Sequence, residues 1–226
     1  RHYWDPTAPS CTGYIARIAK AEFGWDPEPL ADLIRWADII DAARFPDAQT
    51  AVSLEAPPLQ LMAVCEHLKD GPLADRVATG LSEGRMDELA EDREIQRRFA
   101  PIKKRHDRTL TLIEQLAVVH DDVVYVDMIG QKDIVGNKFG PYFLNPDSTY
   151  VVVITAWKGR VKLSVGSNPW RSDARRHNIA DICQKYGGGG HPVVGGITIP
   201  NSTPEEGRRV AAEIIETLRG EGSPQT

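Results

Sequence analysis

The sequence has 226 residues, 41% of them hydrophobic and 26% charged, with a net charge of −5. That balance belongs to an ordinary globular chain and excludes a collagen-like or disordered one. It is long enough for two modest domains. No apolar run approaches the length of a membrane span, so no membrane partner is expected. The cysteines Cys11, Cys65 and Cys183 are widely spaced and odd in number, which makes neither a zinc pattern nor a disulfide framework. Free thiols suit a reducing, cytoplasmic setting. The chain opens on Arg1 with no signal-peptide pattern, so it is expected to start inside a longer protein or after processing.

Along the chain, Pro6 and Pro9 keep the first residues irregular. Ser10 or Thr12 can cap a helix that carries Tyr14, Ile15, Ile18 and Ala19 at helical spacing and ends at Gly24. Pro27 or Pro29 starts a second helix, with Leu30, Leu33, Ile34, Ala37 and Ile40 on one face. Pro57 and Pro58 open a third through Leu61, Val64 and Leu68, and a short helix spans 73–81. Residues 86–119 are the most charged helical stretch. Acids lead it (Asp87, Glu88, Glu91, Asp92, Glu94) and bases follow, an order that complements the helix dipole. Pro101 is expected to kink or split it. This stretch reads as a linker over 86–120, between a first domain at 1–85 and a second at 121–226.

After residue 120 the pattern changes to strands. Val123-Val124-Tyr125-Val126 reads as one, 149–157 as a second, and Lys158-Gly159-Arg160 turns the chain into a third at 161–165. Residues 178–186 form a short helix with Ile179 and Ile182 inward. A fourth strand spans 193–199. Thr203, three residues before Glu206, caps a last helix that buries Val210, Ala211, Ile214, Ile215 and Leu218. The tail from Gly220 is expected to be disordered.

Charge is unevenly placed. Residues 1–84 carry 7 basic and 13 acidic side chains. In the second half, Lys158, Arg160, Lys162, Arg171, Arg175 and Arg176 face a single acid, Asp173. Basic stretches suit phosphates and acid clusters suit divalent cations, although either can be plain solvated surface. Four glycines, Gly187-Gly188-Gly189-Gly190, precede His191 and Pro192. Their N–H groups can form an anion-binding nest, with His191 donating to a phosphoryl oxygen. Alternatively, Gly187 only stops a helix and the others let it pack on a strand. The order is helix, glycines, strand. A dinucleotide-binding fold or a P-loop needs strand, glycines, helix, and is disfavoured.

The stretch from Ile179 to Tyr186, then GGGGHP, then Val193-Val194-Gly195-Gly196 resembles the DHHA1 domain, the C-terminal partner of the DHH phosphoesterase domain. Val193-Val194-Gly195 stands where that family has Ala-Ala-Gly. Ser164-Val165-Gly166-Ser167-Asn168 stands where it often has a strand like Ser-Leu-Arg-Ser, so Gly166 replaces an arginine. In the first half, the segment from Tyr3 to Thr12 resembles the one after the family's Asp-His-His. Ala37-Asp38-Ile39-Ile40-Asp41 resembles a later metal-binding aspartate motif, with Asp38 the first candidate ligand and Asp41 the second. The alternative for either is a helix-end acid capping a neighbour. Asp-His-His itself and the earlier acidic motifs do not occur in the sequence.

The resemblance implies an α/β N-terminal DHH-like domain, present here only as its largely helical later part. A smaller α+β DHHA1-like domain follows it across the helical linker. It implies a phosphodiesterase or phosphatase of short oligonucleotides, cyclic dinucleotides or nucleotides. In the intact family two manganese ions activate water; most of that metal site is missing from this sequence. The substrate-holding residues it points to are Gly188, Gly189, Gly190, His191, Ser167 and Asn168. Arg171, Arg175 or Arg176 would supply the charge absent at Gly166. Trp157 and Trp170 flank the basic stretch and either stack a base or lie in the core, the core being the expectation for Trp157. The rival function is a non-catalytic RNA- or nucleotide-binding module of DHHA1 type. A homodimer stays open.

Overall fold

The computed structural model describes residues 2–220; the expected disordered tail falls beyond Gly220, outside the described residues. The chain divides into two compact units, Arg1–Lys104 and Arg105–Thr226. The division falls inside a helix, within the stretch read from sequence as a linker over 86–120.

The first unit has helices and no strand among its described residues. Helix α1 spans Cys11–Phe23, and Ser10 caps it by accepting the Gly13 N–H at 2.8 Å. Gly24 ends it in the left-handed conformation, at φ 65°. A short 3-10 turn leads into α2 (Ala31–Asp41), followed by α3 (Ala48–Ser53), α4 (Pro57–Cys65), α5 (Pro72–Ser82) and α6 (Met86–Glu91). The buried core of this unit gathers Leu59, Leu61, Val64, Val77, Leu89 and Ile95. The apolar stripes read on α1 and α2 are less buried than expected. Ile15 is exposed, and no residue of α2 is fully buried. Helix α7 (Arg93–Leu116) runs on through Pro101, so of the kink or split expected there the split does not occur.

The second unit is built on a six-stranded sheet in the order β1-β2-β3-β4-β6-β5. The strands are β1 (Ala117–His120), β2 (Val123–Asp127), β3 (Tyr150–Trp157), β4 (Arg160–Ser167), β5 (Gly189–His191) and β6 (Val194–Pro200). Only β2 and β3 pair in parallel, which requires the long connection that carries α8 (Gly140–Leu144). Strands β3 and β4 form a tight hairpin. Lys158 and Gly159 at its tip both have positive φ, 47° and 72°, the backbone a two-residue turn needs to match strand twist.

Side chains alternate across a strand, and that alternation fixes the core. Tyr150, Val152 and Ile154 of β3, Val161, Leu163 and Val165 of β4, and Ile197 of β6 all face one side. There α9 (Ile179–Gln184) contributes Ile179, Ile182 and Cys183. Helix α10 (Pro204–Arg219) contributes Val210, Ala211, Ile214, Ile215 and Leu218. Each fully buried aliphatic side chain in such a layer stabilises the fold by about 1.5–3 kcal/mol. Thr203 caps α10 by accepting the Glu206 N–H at 3.2 Å, as the spacing predicts.

The acids at the start of this unit are tied to arginines. Arg219 meets Asp121 at 2.6 Å, Arg208 meets Asp127 at 2.7 Å, and Arg176 grips both Asp122 oxygens at 2.9 and 3.1 Å. Burial alone would raise the Asp122 carboxyl. The hydrogen bonds and charge of Arg176 outweigh it and hold the group below the usual carboxylate range. Its contribution is therefore present above the unfolded pKa and lost as pH falls through the lower folded value. Asp122→Asn is expected to cost about 1–2 kcal/mol at neutral pH in urea denaturation. That difference should shrink below about pH 4; a difference that stays constant into acid would refute the ionic origin.

Candidate functional site

The face of the sheet opposite α9 and α10 divides in two. Over β2 and the first part of β3 it is closed, with Val124, Val126 and Val151 buried. Over β4, β6 and β5 it is open, except at Gly166, which is buried beneath Tyr142 of α8. Register sets out its rows. Gly166, Val194 and His191 lie side by side, then Ser164, Gly196 and Gly189, then Lys162 and Thr198, then Arg160 and Pro200. Arg160, Lys162, Ser164, Thr198 and His191 are exposed. Strands β3 to β6 contain no aspartate or glutamate. Neither the Arg160 guanidinium, the Lys162 ammonium nor the His191 imidazole has an ion pair or hydrogen bond among the described residues. In a chain of net charge −5 this is a patch of uncompensated positive charge on a floor of small residues. Hydroxyls and cations there can hydrogen-bond phosphate oxygens, and the glycines let a ligand approach the backbone.

The glycine run shapes this face in a different way from the anion nest considered above. Gly187 stops α9 at φ 74°, and the Gly188 N–H donates to Cys183 O at 2.9 Å, closing the helix end. Gly189 and Gly190 then enter β5 and pair with Gly196 and Gly195. A Cβ on Gly188 would collide with the Gly196 carbonyl, and one on Gly190 with the Val194 carbonyl. A Cβ on Gly189 would meet nothing within 4 Å. The run is thus a helix stop followed by an edge strand. Its role is to bring His191 into line with the open face. Gly188→Ala and Gly190→Ala are each expected to lower stability by about 2 kcal/mol, and Gly189→Ala by no more than about 0.5 kcal/mol. Thermal denaturation of the three variants checks this; equal loss in all three would count against the packing account.

Two further residues named from sequence are engaged in the fold. Asn168 is 2% exposed; its amide donates to Ser148 O at 2.9 Å, and its Oδ1 accepts the Trp170 N–H at 3.0 Å. It shapes the turn after β4 and has no group left for a ligand. Arg176, beyond its grip on Asp122, donates to Leu218 O at 3.1 Å. It joins the start of the sheet to the end of α10, so it is a structural ion pair and not a free phosphate contact. Ser167 lies at the end of β4, and its hydroxyl donates to Val193 O at 3.2 Å. Arg171 and Arg175 are half-buried, with no side-chain partner among the described residues. Trp170 packs edge-on against Phe139 at 5.6 Å. Trp157 is 70% exposed, which corrects the expectation that it is core. Ser164 and Thr198 were not singled out from sequence. The signal was there in β4, where Arg160, Lys162 and Ser164 alternate with Val161, Leu163 and Val165.

In the first unit, Asp38 accepts the Ser10 Oγ–H at 2.5 Å, and that same oxygen caps α1. Gly13 is what lets this carboxylate come so close, since a Cβ there would lie 2.5 Å from Asp38 Oδ1. Asp38 therefore braces the start of α1. Asp41 is exposed at the end of α2. Among the described residues no three His, Cys, Asp or Glu side chains gather into a group able to hold a metal ion. These residues alone do not fit a two-metal centre. Nor is any described helix long and apolar enough to cross a membrane.

Among solved structures, the pGpG-specific phosphodiesterase PggH from Vibrio cholerae matches 98% of this chain and 76% of its own, at a TM-score of 0.75 and 19% identity. At that identity the likeness shows a shared fold. An exopolyphosphatase-related protein from Bacteroides fragilis matches 62% of this chain and 43% of its own, at a TM-score of 0.40 and 15% identity. A DHH domain from a member of a ribosomal-protein family matches 81% and 55%, at a TM-score of 0.35 and 14% identity. No family model matches the chain, and no curated protein does. The open face of the second unit is the surface whose chemistry suits a phosphorylated ligand.

Proposed function

We propose that this chain works in the hydrolysis of phosphodiester bonds in short linear nucleotides, a pGpG-like dinucleotide among them. In this reading the open face of the second unit holds the substrate. The observation that carries it is the acid-free strip with Lys162, Ser164, Thr198 and His191 around glycine backbone. Phosphodiester oxygens match those donors, and the flat glycine rows leave room for a sugar to lie against the sheet. The fold it shares with a pGpG-specific phosphodiesterase supports the reaction class. The described carboxylates Asp38 and Asp41 do not make a hydrolytic centre by themselves, so the assay belongs on the full-length gene product.

That product, with manganese present, is expected to convert pGpG and water to two molecules of GMP. His191→Ala and Lys162→Ala are each expected to raise KM about tenfold, which corresponds to roughly 1.4 kcal/mol of lost charged or polar contact, and to leave kcat within about twofold. Chromatography of the products gives both constants. Salt-sensitive binding of the dinucleotide without turnover would replace this reading with that of a non-catalytic nucleotide-binding module. An unchanged KM in both variants would remove the open face from substrate binding.

A further inference from the structure

The strip does not end at Lys162. Its far end is the β3–β4 hairpin tip, where Trp157 pairs across the ladder with Arg160. By strand alternation Trp157 lies on the same face as Arg160, Lys162 and Ser164. At 70% exposure it is the most exposed large apolar side chain among the described residues of the second unit. The Lys158 ammonium sits 4.4 Å from the ring centroid, so the ring already presents a π-face to a cation. Lys158 and Gly159 hold the tip in a tight turn of positive φ, which gives the indole a fixed mount.

Distance separates this end from the other. Arg160 and Gly166 are six residues apart on β4, about 20 Å along the strand, and three strand spacings, about 14 Å, lie between β3 and β5. A stacked nucleotide step covers only about 3.4 Å. A dinucleotide lying between His191 and Lys162 occupies that part of the strip and stops short of Trp157, which lies one strand and two residues beyond Lys162. The diagonal from one end to the other, about 24 Å, is the length of about seven such steps, as in an octanucleotide.

We infer that Trp157, with Arg160 and Lys158, forms a base-stacking subsite for a single-stranded oligonucleotide longer than a dinucleotide. An aromatic platform beside backbone-tracking cations is the combination that single-stranded nucleic acid requires. Every base has a π-face, and each intervening phosphate can meet a cation. The acid-free strip between the two ends supplies the charge complementarity. This inference rests on reading the open face as the substrate-holding surface, and extends that surface to substrates of several nucleotides.

Binding of fluorescein-labelled oligonucleotides to the full-length protein in EDTA, read by anisotropy, tests it apart from catalysis. Trp157→Ala is expected to weaken an octanucleotide about tenfold and to leave the dinucleotide unchanged. Trp157→Phe, which keeps an aromatic ring, is expected to restore most of the lost affinity. An octanucleotide affinity that Trp157→Ala leaves unchanged overturns the inference, and so does an equal loss for the dinucleotide. Absence of any oligonucleotide binding by the unsubstituted protein overturns it together with the reading of the open face. A Trp157 effect seen without pGpG hydrolysis would retain the subsite and reject the hydrolytic reading alone.

Discussion

Bare backbone lies against bare backbone where the glycine run meets β6, and the polar face of the second unit depends on that approach. Gly188 and Gly190 sit where a single methyl group would strike the carbonyls of Gly196 and Val194. On the other side, Gly195 leaves just enough room for the Cys183 sulfur of α9. Van der Waals packing falls steeply with small gaps and turns repulsive with small overlaps. So glycine here is a condition for closing β5 onto the sheet. Once β5 is closed, His191 falls into register with Val194 and Gly166 at the edge of the sheet.

The same unit sorts its charges by face. Asp121, Asp122 and Asp127 are matched by Arg219, Arg176 and Arg208, which hold the ends of α10 and the loop before α9 to the sheet. The cations of β4 have no such partners among the described residues. Exposed pairs of this kind are individually weak. Their larger effect is to neutralise the acids locally, so that the field over β4 and β6 is set by Arg160, Lys162 and their neighbours. A chain with an overall negative charge can in this way keep one positive surface.

Much of the fold was legible because its signals are local. Apolar and β-branched runs exposed β2, β3, β4 and β6, Ser10 or Thr12 and then Thr203 marked two helix starts, and Gly24 marked a helix end. Strands β1 and β5 were missed because each is short and gains its pairing only from its neighbours in the sheet. Among the candidate residues, His191 stands out in the sequence by its motif. Lys162 and Ser164 were visible as the polar half of an alternating strand, and Asn168 and Arg176 misled because polarity in sequence does not show what a side chain already holds. Asn168 closes a turn and Arg176 clamps a carboxylate, and both partnerships span 20 residues or more. Asp38 is the subtler case. Its oxygen buttresses the Ser10 cap across 28 residues, and no periodicity announces that.

Gly166 stands where the resemblance leads one to expect an arginine, and the space beside it is filled. The Tyr142 hydroxyl lies 2.8 Å from where a Cβ at 166 would be, and it has no hydrogen-bond partner among the described residues. Volume given up on a strand is taken up by a buried ring of α8. Neither position can change alone at low cost: an arginine at 166 meets the ring, and a small residue at 142 leaves a hole behind glycine. The two positions behave as one unit of packing, so a chain of this fold that carries a long side chain at the strand position needs a smaller one on the helix.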